Sequence, residues 1–420
     1  MSYLRGIAVS HDLDELAVAL GPRARRDEPL ARYTAMRIGG PADLLIVCES
    51  VDEVVGAVNL ARSFGVPWLL LGGGCNVLVA DAGVRGLVIV NRAARIGFDG
   101  LAARAEAGAL LAVLARESVE RGLAGLEWAA GLPGSVGGAV VGNAGAFDGD
   151  VAGVLRSAMV LGPDGEIVEQ PNEWFEFDDR SSLIKRGAGS LNTACDVTRS
   201  DDFSRPVESR ATEVATTDVE GMGVTRSDDF SRQVESRATE VATTDVEGMG
   251  VTRSDDFSRL VESRATEVAT TDVEGMGVTR SDDFSRPVSR ATEVATTDVG
   301  SGHVILAATF GLRAGDAQAL ATRVDEILEW RRTRHPAGAT MGSTFKNPPG
   351  SHAGYLIEQA GLRGYRIGGA QISELHGNFF MNTGSATAAD VLALIEHARA
   401  EVRRQFGVEL ELEIELVGRD

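Results

Sequence analysis

The sequence lacks the features that mark membrane, secreted and nucleic-acid-binding proteins. No run of about eighteen apolar residues occurs, which argues against a membrane-spanning helix, and the N-terminal segment lacks the apolar stretch of a signal peptide. The three cysteines (Cys48, Cys75 and Cys195) have no metal-ligand spacing, which favours a reducing cytoplasm over a disulfide scaffold. The 41 basic residues are outnumbered by 61 acidic ones, and the formal charge of −20 argues against a nucleic-acid partner.

Motifs for two common kinds of catalytic site are missing as well. The six histidines show no HxxxH or HxH spacing, so no metal site is predicted, and His376 is interpreted as structural. Ser343 does not lie in a G-x-S-x-G elbow, so a Ser–His–Asp hydrolase is a poor interpretation. Glycine, in contrast, is abundant, with 50 of 420 residues, which indicates either close backbone contact with a ligand or unstructured chain.

The middle of the chain consists of four copies of a 27-residue repeat, which begin at Val197, Val224, Val251 and Val278. The first three copies each contain three arginines and six acidic residues, and the fourth contains three and four, so the repeats carry a charge of −10. Their few apolar residues follow neither a helical nor a strand period, and burying them could not offset the entropy lost on ordering. We therefore predict that residues 197–299 form a disordered insertion; a packed accessory module is the alternative.

Outside the insertion, helical and strand patterns alternate along the chain. Apolar residues recur at helical spacing over Val51–Phe64, whereas Pro67–Leu71 and Leu87–Val90 are short apolar runs typical of buried strands. After the insertion, the sequence predicts a strand over Val304–Phe310 and a helix over Ala317–Arg331. This alternation predicts an α/β or an α+β fold and argues against an all-helical or all-β one.

Two patterns near the C-terminus add a helix and a strand. Thr387 and Asp390 have the spacing of a capping box, with Asp in place of the usual Glu, and predict the start of a helix. Over Val408–Leu416 apolar residues alternate with four glutamates, which predicts a strand. Three of these glutamates are expected to lie on a solvated face; the four are Glu409, Glu411, Glu413 and Glu415.

Two glycine-rich segments indicate a binding site. Gly72-Gly-Gly-Cys-Asn76 directly follows a predicted strand, and left-handed dihedrals at its glycines would let successive backbone N–H groups converge on a pyrophosphate; a tight turn is the alternative. Gly131–Gly145 contains six glycines interleaved with Leu, Val and Ala, which favours a buried segment against a flat or phosphorylated ligand. Neither segment matches GxGxxG, so a dinucleotide bound here requires a fold other than Rossmann.

A third segment, Ala339–Pro349, carries polar groups suited to an anionic substrate. Gly342 would expose the hydroxyl of Ser343, and Lys346 and Asn347 offer hydrogen-bond donors for a phosphate or a carboxylate. Taken alone, the segment is more typical of a surface turn.

Seven segments occur in the order seen in the UDP-N-acetylenolpyruvoylglucosamine reductases, and the chain resembles this family. The segments are Arg37–Ala42, Gly72–Asn76, Gly131–Gly145, Arg180–Ser182, Gly342–Pro348, Leu356–Leu362 and Leu410–Glu413. The resemblance covers essentially all of the chain except residues 190–300. The compact C-terminal end, with Ala353–Glu358 and His376, is similar to the shorter, type II-like subtype.

The resemblance implies a fold and a division into domains. The fold would be α+β, with a two-lobed FAD-binding domain of the vanillyl-alcohol-oxidase (PCMH) type followed by a C-terminal substrate-binding domain. Residues 1–105 would form the first FAD lobe, 106–196 and 300–313 the second lobe, and 314–420 the substrate domain. The repeat insertion at 197–299 would interrupt the second lobe.

The resemblance also implies a reaction with FAD as cofactor and NADPH as co-substrate. NADPH would reduce the flavin, and the enolpyruvyl ether of a UDP-sugar would then take a hydride on its methylene carbon, giving UDP-N-acetylmuramate for bacterial peptidoglycan. Family matching makes Ser343 the proton donor, Arg180 the carboxylate-polarising residue and Glu413 the assisting acid. It makes Lys346 and Asn347 substrate-binding residues. The implied FAD-binding residues are Arg37, Gly72, Gly73, Gly74, Cys75, Asn76, Gly134, Ser135, Gly138 and Asn143.

Two residues depart from the family pattern, and two other functions remain open. Asp179 stands where the family usually has tyrosine, which makes it a candidate ion-pair partner for Arg180, and Cys75 replaces a serine. The alternatives are another FAD oxidoreductase of the same fold that acts on an alcohol, lactone or sugar, and an inactive repeat-bearing interaction protein on this scaffold. The expected partner is a small UDP-sugar, in the cytoplasm, with no nucleic acid and no membrane span.

Overall fold

The computed structural model describes residues 3–188 and 302–418, which all belong to one compact unit. The predicted insertion at 197–299 lies outside the described residues. The helices are α1 (Tyr3–Leu20), α2 (Val51–Ser63), α3 (Leu111–Glu120), α4 (Val136–Val141), α5 (Leu183–Ala188), α6 (Ala317–Arg334), α7 (Ala353–Gln359) and α8 (Ala388–Phe406). None of these described helices is long and apolar enough to cross a bilayer.

The strands fall into three larger sheets and three two-stranded pairs in the described ranges. They are β1 (Arg25–Pro29), β2 (Pro41–Cys48), β3 (Trp68–Leu71), β4 (Val77–Val79), β5 (Val84–Asn91), β6 (Ile96–Asp99), β7 (Ala102–Glu106), β8 (Leu123–Ala124), β9 (Gly145–Ala146), β10 (Gly149–Asp150), β11 (Leu155–Leu161), β12 (Ile167–Pro171), β13 (Val304–Gly311), β14 (Arg313–Ala314), β15 (Ala339–Ser343), β16 (Arg366–Ile367), β17 (Ala370–Ile372), β18 (Phe379–Asn382) and β19 (Glu415–Val417). The predicted strands and helices on either side of the insertion are confirmed as α2, β3, β5, β13 and α6.

The first sheet has four strands in the order β1-β2-β5-β3. Strand β5 pairs in parallel with β2 and β3, and β1 adds to the edge in antiparallel orientation. Leu44, Leu87 and Ile89 pack with α1 and α2 on one face, while Leu45 and Val88 are buried on the other. Burial on both faces explains why these strands are continuous apolar runs, as is typical of parallel strands.

The second sheet is antiparallel, in the order β12-β11-β13-β7-β6. Strand β13 follows the insertion and lies between β11 and β7, which precede it, so chain from both sides of the insertion shares one sheet. Helices α3 and α4 cover this sheet over a core that contains Trp128, Phe175 and Phe310. Because β6 and β7 pair within it, the lobe boundary predicted at residue 105 lies inside the second sheet.

The third sheet, β15-β18-β17-β16, carries the C-terminal helices α7 and α8. The capping box predicted at the start of α8 is confirmed: Thr387 Oγ1 accepts from the Asp390 N–H at 3.1 Å, and the Asp390 carboxylate accepts from the Thr387 N–H at 3.0 Å. Phe345 lies in the core of this sheet together with Met36 and Leu78 from the N-terminal part of the chain. The third sheet therefore packs against residues from the N-terminal part of the chain.

The C-terminal segment differs from the strand predicted over Val408–Leu416. Regular pairing is confined to β19, which runs parallel to β4, and Leu412 forms a single bridge to Phe345. The segment thus contacts the third sheet first and then the strand that follows the first glycine segment. Alternation predicted which side chains share a face, but the segment changes partner along its length and so forms only a short strand.

The glutamates of this segment also differ from the prediction. Glu409 and Glu411 are exposed, whereas the Glu415 side chain is only 8% exposed and forms an ion pair of 2.7 Å with Lys185 Nζ. Glu413 is mostly buried as well, with 22% of its side chain exposed. The expectation that three of the four are solvated is therefore wrong, because periodicity assigns a residue to a face without showing what covers that face.

Candidate active site

Glu413 joins three of the segments singled out in the sequence. Its backbone N–H donates at 2.9 Å to the carbonyl of Thr344, the residue that follows Ser343. Its carbonyl accepts from Asn76 Nδ2 at 3.1 Å, at the end of the first glycine segment. Its carboxylate Oε1 lies 3.4 Å from Arg180 Nε. The C-terminal segment thus places the Glu413 carboxylate beside Arg180 and its backbone beside the residue that follows Ser343.

Arg180 occupies a strained position at a tight turn. Asp178 and Ser181 exchange two backbone hydrogen bonds of 3.1 Å, and Arg180 between them has a φ of 53°, a left-handed conformation that costs a non-glycine residue about 1–2 kcal/mol. Its Nη1 donates to the carbonyl of Gly145 at 2.8 Å, while Nη2 donates to no described residue. The turn therefore holds the guanidinium against the second glycine segment and leaves its Nη2 amino group without a partner among the described residues.

The charge of Glu413 depends on several neighbours. Burial raises the pKa of its carboxyl, and the positive charges of Arg180, Lys185 and Lys346 oppose that rise. Asp179 adds to it through its negative charge, and among the described residues Asp179 forms no ion pair with Arg180. The Glu413 carboxyl consequently keeps its proton to a higher pH than a carboxyl in water, which suits a group that takes part in proton transfer.

Ser343 ends β15 beside an open position. Gly342, with a φ of 81°, precedes it, and a Cβ on Gly342 would meet no heavy atom within 4 Å. The Ser343 hydroxyl is half-buried and hydrogen-bonds to no described side chain or backbone group. The neighbouring Thr344 Oγ1 is buried and likewise has no partner in the described part of the chain. The Ser343 hydroxyl is therefore available to a bound molecule at the end of this strand, whereas Thr344 is fully buried.

The two predicted substrate-binding residues follow in the same loop. The Lys346 N–H donates to the carbonyl of Glu411 at 2.9 Å, and its Nζ lies 3.5 Å from Glu411 Oε2, with 40% of the lysine side chain exposed. Asn347 is exposed, and its Oδ1 accepts from the Ala353 N–H at 3.1 Å, at the start of α7. The Lys346 ammonium is thus accessible beside the site, whereas the side-chain oxygen of Asn347 is already hydrogen-bonded to the start of α7.

The first glycine segment presents a row of free backbone donors. The N–H groups of residues 72–76 donate to no described residue. A Cβ on Gly72 would come within 2.2 Å of Ser135 Oγ, and one on Gly74, which has a φ of 62°, within 2.1 Å of the Tyr33 carbonyl oxygen. Glycine is therefore required by contacts with both neighbouring segments. Unpaired N–H groups in such a turn form an anion-binding concavity, so the segment fits a pyrophosphate such as that of FAD.

The second glycine segment packs directly against the first. Gly134, with a φ of 119°, has open space where a side chain would be. Ser135 is buried, and its Oγ accepts from the Gly138 N–H at 3.4 Å at the start of α4. Asn143 is buried, donates to the Asp178 carbonyl at 3.1 Å and accepts from the backbone at residue 152. Its side chain is therefore engaged in holding the turn that carries Arg180.

The remaining predicted FAD residues lie beside the first segment. The Ala35 N–H donates to the Gly74 carbonyl at 2.9 Å, which brings the neighbourhood of Arg37 close to the glycines. Arg37 is exposed and left-handed, with a φ of 56°. Cys75 is half-buried, and burial raises the pKa of its thiol, so it remains protonated and cannot act as an anion at neutral pH.

An aromatic cluster containing two histidines lies near the start of the third sheet. The His335 ring is 4.8 Å from Phe379, 5.3 Å from Trp330 and 5.9 Å from His376. Burial lowers the pKa of His335 to about 4, and the charges of Arg331 and His376 contribute to the shift. The described residues contain no group of three His, Cys, Asp or Glu side chains placed to hold a metal ion.

Sequence reasoning missed Lys185, although the composition contained a signal. Only two of the 41 basic residues are lysines, Lys185 and Lys346, and both lie close enough to Glu413 to lower its pKa. Lys185 follows Arg180 by five residues and pairs with Glu415, two residues after Glu413. In a chain that uses arginine almost everywhere else, the rarity of lysine could have drawn attention to this position.

Comparison with known proteins identifies the family. Residues 334–417 match the C-terminal domain of UDP-N-acetylenolpyruvoylglucosamine reductase, and residues 42–170 match an FAD binding domain. The UDP-N-acetylenolpyruvoylglucosamine reductase of Rubrobacter xylanophilus is 34% identical over 401 residues, which cover 95% of this chain and 97% of the relative. The chain belongs to the UDP-N-acetylenolpyruvoylglucosamine reductase family.

Further members of this reductase family agree in sequence and fold. UDP-N-acetylenolpyruvoylglucosamine reductase 1 of Bacillus cereus is 32% identical over 97% of this chain and 99% of its own length. The crystal structure of the reductase (MurB) from Thermus caldophilus matches with a TM-score of 0.58 at 25% identity, over 94% of this chain and 99% of that one. The predicted α+β FAD-binding fold is confirmed. The protein is thus an FAD- and NADPH-dependent oxidoreductase that reduces UDP-N-acetylglucosamine enolpyruvate to UDP-N-acetylmuramate in peptidoglycan synthesis.

Proposed function

We propose that Arg180, Ser343 and Glu413 carry out the substrate half of this reduction. The observation that carries the proposal is the position of Glu413, whose backbone contacts the segment of Ser343 and whose carboxylate contacts Arg180. Membership of the family gives the reaction, and these two contacts support Arg180, Ser343 and Glu413 as the residues that act on the enolpyruvyl group of the substrate.

Arg180 is proposed to bind the carboxylate of the enolpyruvyl group. Its Nη1 is anchored on the Gly145 carbonyl and its Nε lies beside Glu413, so the free Nη2 is the group that remains for a substrate carboxylate. A charge-assisted hydrogen bond from a guanidinium to a carboxylate is among the strong ones. Because the guanidinium is already held by the protein, little reorganisation is needed when negative charge develops on the substrate.

Ser343 is proposed to donate the proton that completes the reduction. When bound, FAD passes to the substrate the electrons it has taken from NADPH. The charge that develops beside the substrate carboxylate needs a proton, and the Ser343 hydroxyl bonds to none of the described residues. Serine is a weak acid in water, so it requires neighbours that stabilise the developing charge. In this proposal Glu413, whose pKa burial raises, and Arg180 take that role.

FAD is proposed to be held by the two glycine segments. The free N–H groups of residues 72–76 would bind its pyrophosphate, and the open position at Gly134 admits close approach of the cofactor. The remaining FAD residues, in this proposal, are Arg37, Ser135, Gly138 and Asn143. Lys346 and Asn347 are proposed to contact the UDP-sugar, with the accessible ammonium of Lys346 as the stronger contributor.

The domain division and the location of the enzyme are proposals as well. We retain two FAD lobes, an insertion at 197–299 and a C-terminal substrate domain, but place the boundary between the lobes near residue 92, since β6 and β7 belong to the second sheet. A cytoplasmic location is supported by Cys48 and Cys75, which are both free thiols. The small-molecule partner is proposed to be the UDP-sugar itself.

A half-reaction assay tests the proposed function. Enzyme is reduced with NADPH in the absence of oxygen and mixed with UDP-N-acetylglucosamine enolpyruvate, and oxidised enzyme is mixed separately with a simple alcohol or an aldose sugar, while flavin absorbance is followed. We expect the enolpyruvyl sugar to restore oxidised flavin rapidly, and the alcohol and the aldose to leave the oxidised flavin unreduced. Glu413→Gln and Arg180→Lys should slow that step and leave reduction by NADPH unchanged. Reoxidation at the wild-type rate in both variants would show that the proposed residues do not act on the substrate.

A further inference from the structure

Two cation–carboxylate pairs link the same two segments of the chain in succession. Arg180 Nε lies 3.4 Å from Glu413 Oε1, and Lys185 Nζ lies 2.7 Å from Glu415 Oε1. The cations belong to the turn that contains Arg180 and to helix α5 directly after it, and the carboxylates belong to the C-terminal segment. The second pair is more buried than the first, with side chains 19% and 8% exposed against 35% and 22%.

The second pair also fixes the C-terminal segment to the FAD side of the fold. The Glu415 N–H donates to the Asn76 carbonyl at 2.9 Å, and β19 continues as a parallel partner of β4. Glu415 therefore connects three segments: the end of the first glycine segment, helix α5 and the chain that carries Glu413. Since Glu413 lies only two residues before it, the position of Glu415 limits where the Glu413 carboxylate can lie.

We propose that the Lys185–Glu415 ion pair positions Glu413 against Arg180 for the protonation step. This inference rests on the roles proposed above for Arg180 and Glu413. Lys185 and Glu415 are positioning residues, because they act through the neighbouring pair. A mere contribution to stability is a poor explanation of the pair, since burying two charges costs about as much solvation as their attraction returns.

The surroundings of Glu413 give the pair a second, measurable effect. The charged groups that face Glu413 are Arg180, Lys185 and Lys346, which lower the pKa of its carboxyl, and Asp179, which raises it. Removing Lys185 takes away one of the opposing positive charges, so the carboxyl would keep its proton to still higher pH. The pH dependence of flavin reoxidation should then move upward, which loss of stability alone would not produce.

The test compares single and double variants that differ in charge but keep similar volume. Lys185→Met and Glu415→Leu each leave one buried charge unpaired, whereas the double variant removes both and is expected to fold, because apolar replacement of a buried pair is often neutral or stabilising. Arg403→Gln with Glu409→Gln is the matched control: this pair, at 3.5 Å, is exposed and lies on the same C-terminal part of the chain. Thermal unfolding, reduction by NADPH and reoxidation by the enolpyruvyl sugar are measured from pH 5 to pH 9.

We expect the folded double variant to accept electrons from NADPH normally and to reoxidise about 10-fold to 10²-fold more slowly, as for a catalytic group displaced by about 1 Å. The pH profile of Lys185→Met, which loses only the positive charge, should shift upward, and the Arg403/Glu409 control should match wild type. A double variant that folds and reoxidises at the wild-type rate would overturn the inference. Glu413→Gln is measured alongside to separate the positioning role of the ion pair from the proposed role of Glu413 itself. If Glu413→Gln reoxidises slowly while the double variant behaves like wild type, only the positioning role is refuted.

Discussion

Replacement of Ser343 by alanine separates proton donation from every other part of the reaction. The hydroxyl is half-buried and bonds to no described residue, so its removal breaks no hydrogen bond that the structure shows. The expected change in the free energy of unfolding is therefore within about 0.5 kcal/mol, as for most substitutions away from a buried network. Binding of FAD and its reduction by NADPH should be unchanged, since neither requires this proton.

The effect on the substrate half-reaction should be far larger. Loss of a positioned proton donor costs roughly 10²–10⁴-fold in rate, which corresponds to about 2.7–5.4 kcal/mol in the activation barrier. In stopped-flow absorbance, Ser343→Ala should bleach with NADPH like wild type and regain its colour slowly with the enolpyruvyl sugar. Ser385→Ala, an exposed serine of the same domain, is the control. Reoxidation of Ser343→Ala at the control rate would refute the reasoning and leave Ser343 as part of a binding loop.

Three further substitutions test other parts of the structure. Arg180→Lys keeps the charge but loses the planar guanidinium and its hydrogen bond to the Gly145 carbonyl. Flavin reoxidation should therefore slow at least about 10-fold. An unchanged KM and kcat for the enolpyruvyl sugar would contradict a role in carboxylate binding. Gly74→Ala places a Cβ 2.1 Å from a backbone oxygen at a left-handed φ, so FAD affinity measured by titration should fall by about 10-fold or more; a wild-type Kd would show that the segment does not hold the cofactor. His335 has a pKa of about 4 in the folded protein against an ordinary 6.5, so between these values only the unfolded chain gains a proton and stability falls as pH falls. His335→Phe should therefore lose less Tm than wild type as the pH is lowered through that range. If the variant loses as much Tm as wild type, His335 does not cause the loss of stability in acid.

Local patterns determined much of the secondary structure of this protein. The capping box at Thr387 is formed by side-chain and backbone atoms within four residues, so no distant contact is needed to predict it. The apolar runs of β3 and β5 likewise report burial on two faces directly. The family resemblance could also be found from sequence alone, because it rests on short segments with characteristic residues that follow one another in a fixed order.

Only the tertiary structure decided how those segments meet. The alternating pattern around Glu413 and Glu415 assigned both to one face, and tertiary contacts then covered that face with Arg180 and Lys185. Asn143 carried no sequence signal for its bonds to Asp178 and residue 152. Pairings across hundreds of residues, such as Asn76 with Glu413, depend on which surfaces pack together. Periodicity describes one segment at a time, whereas the charge state and position of Glu413 are set by residues from three other segments of the chain.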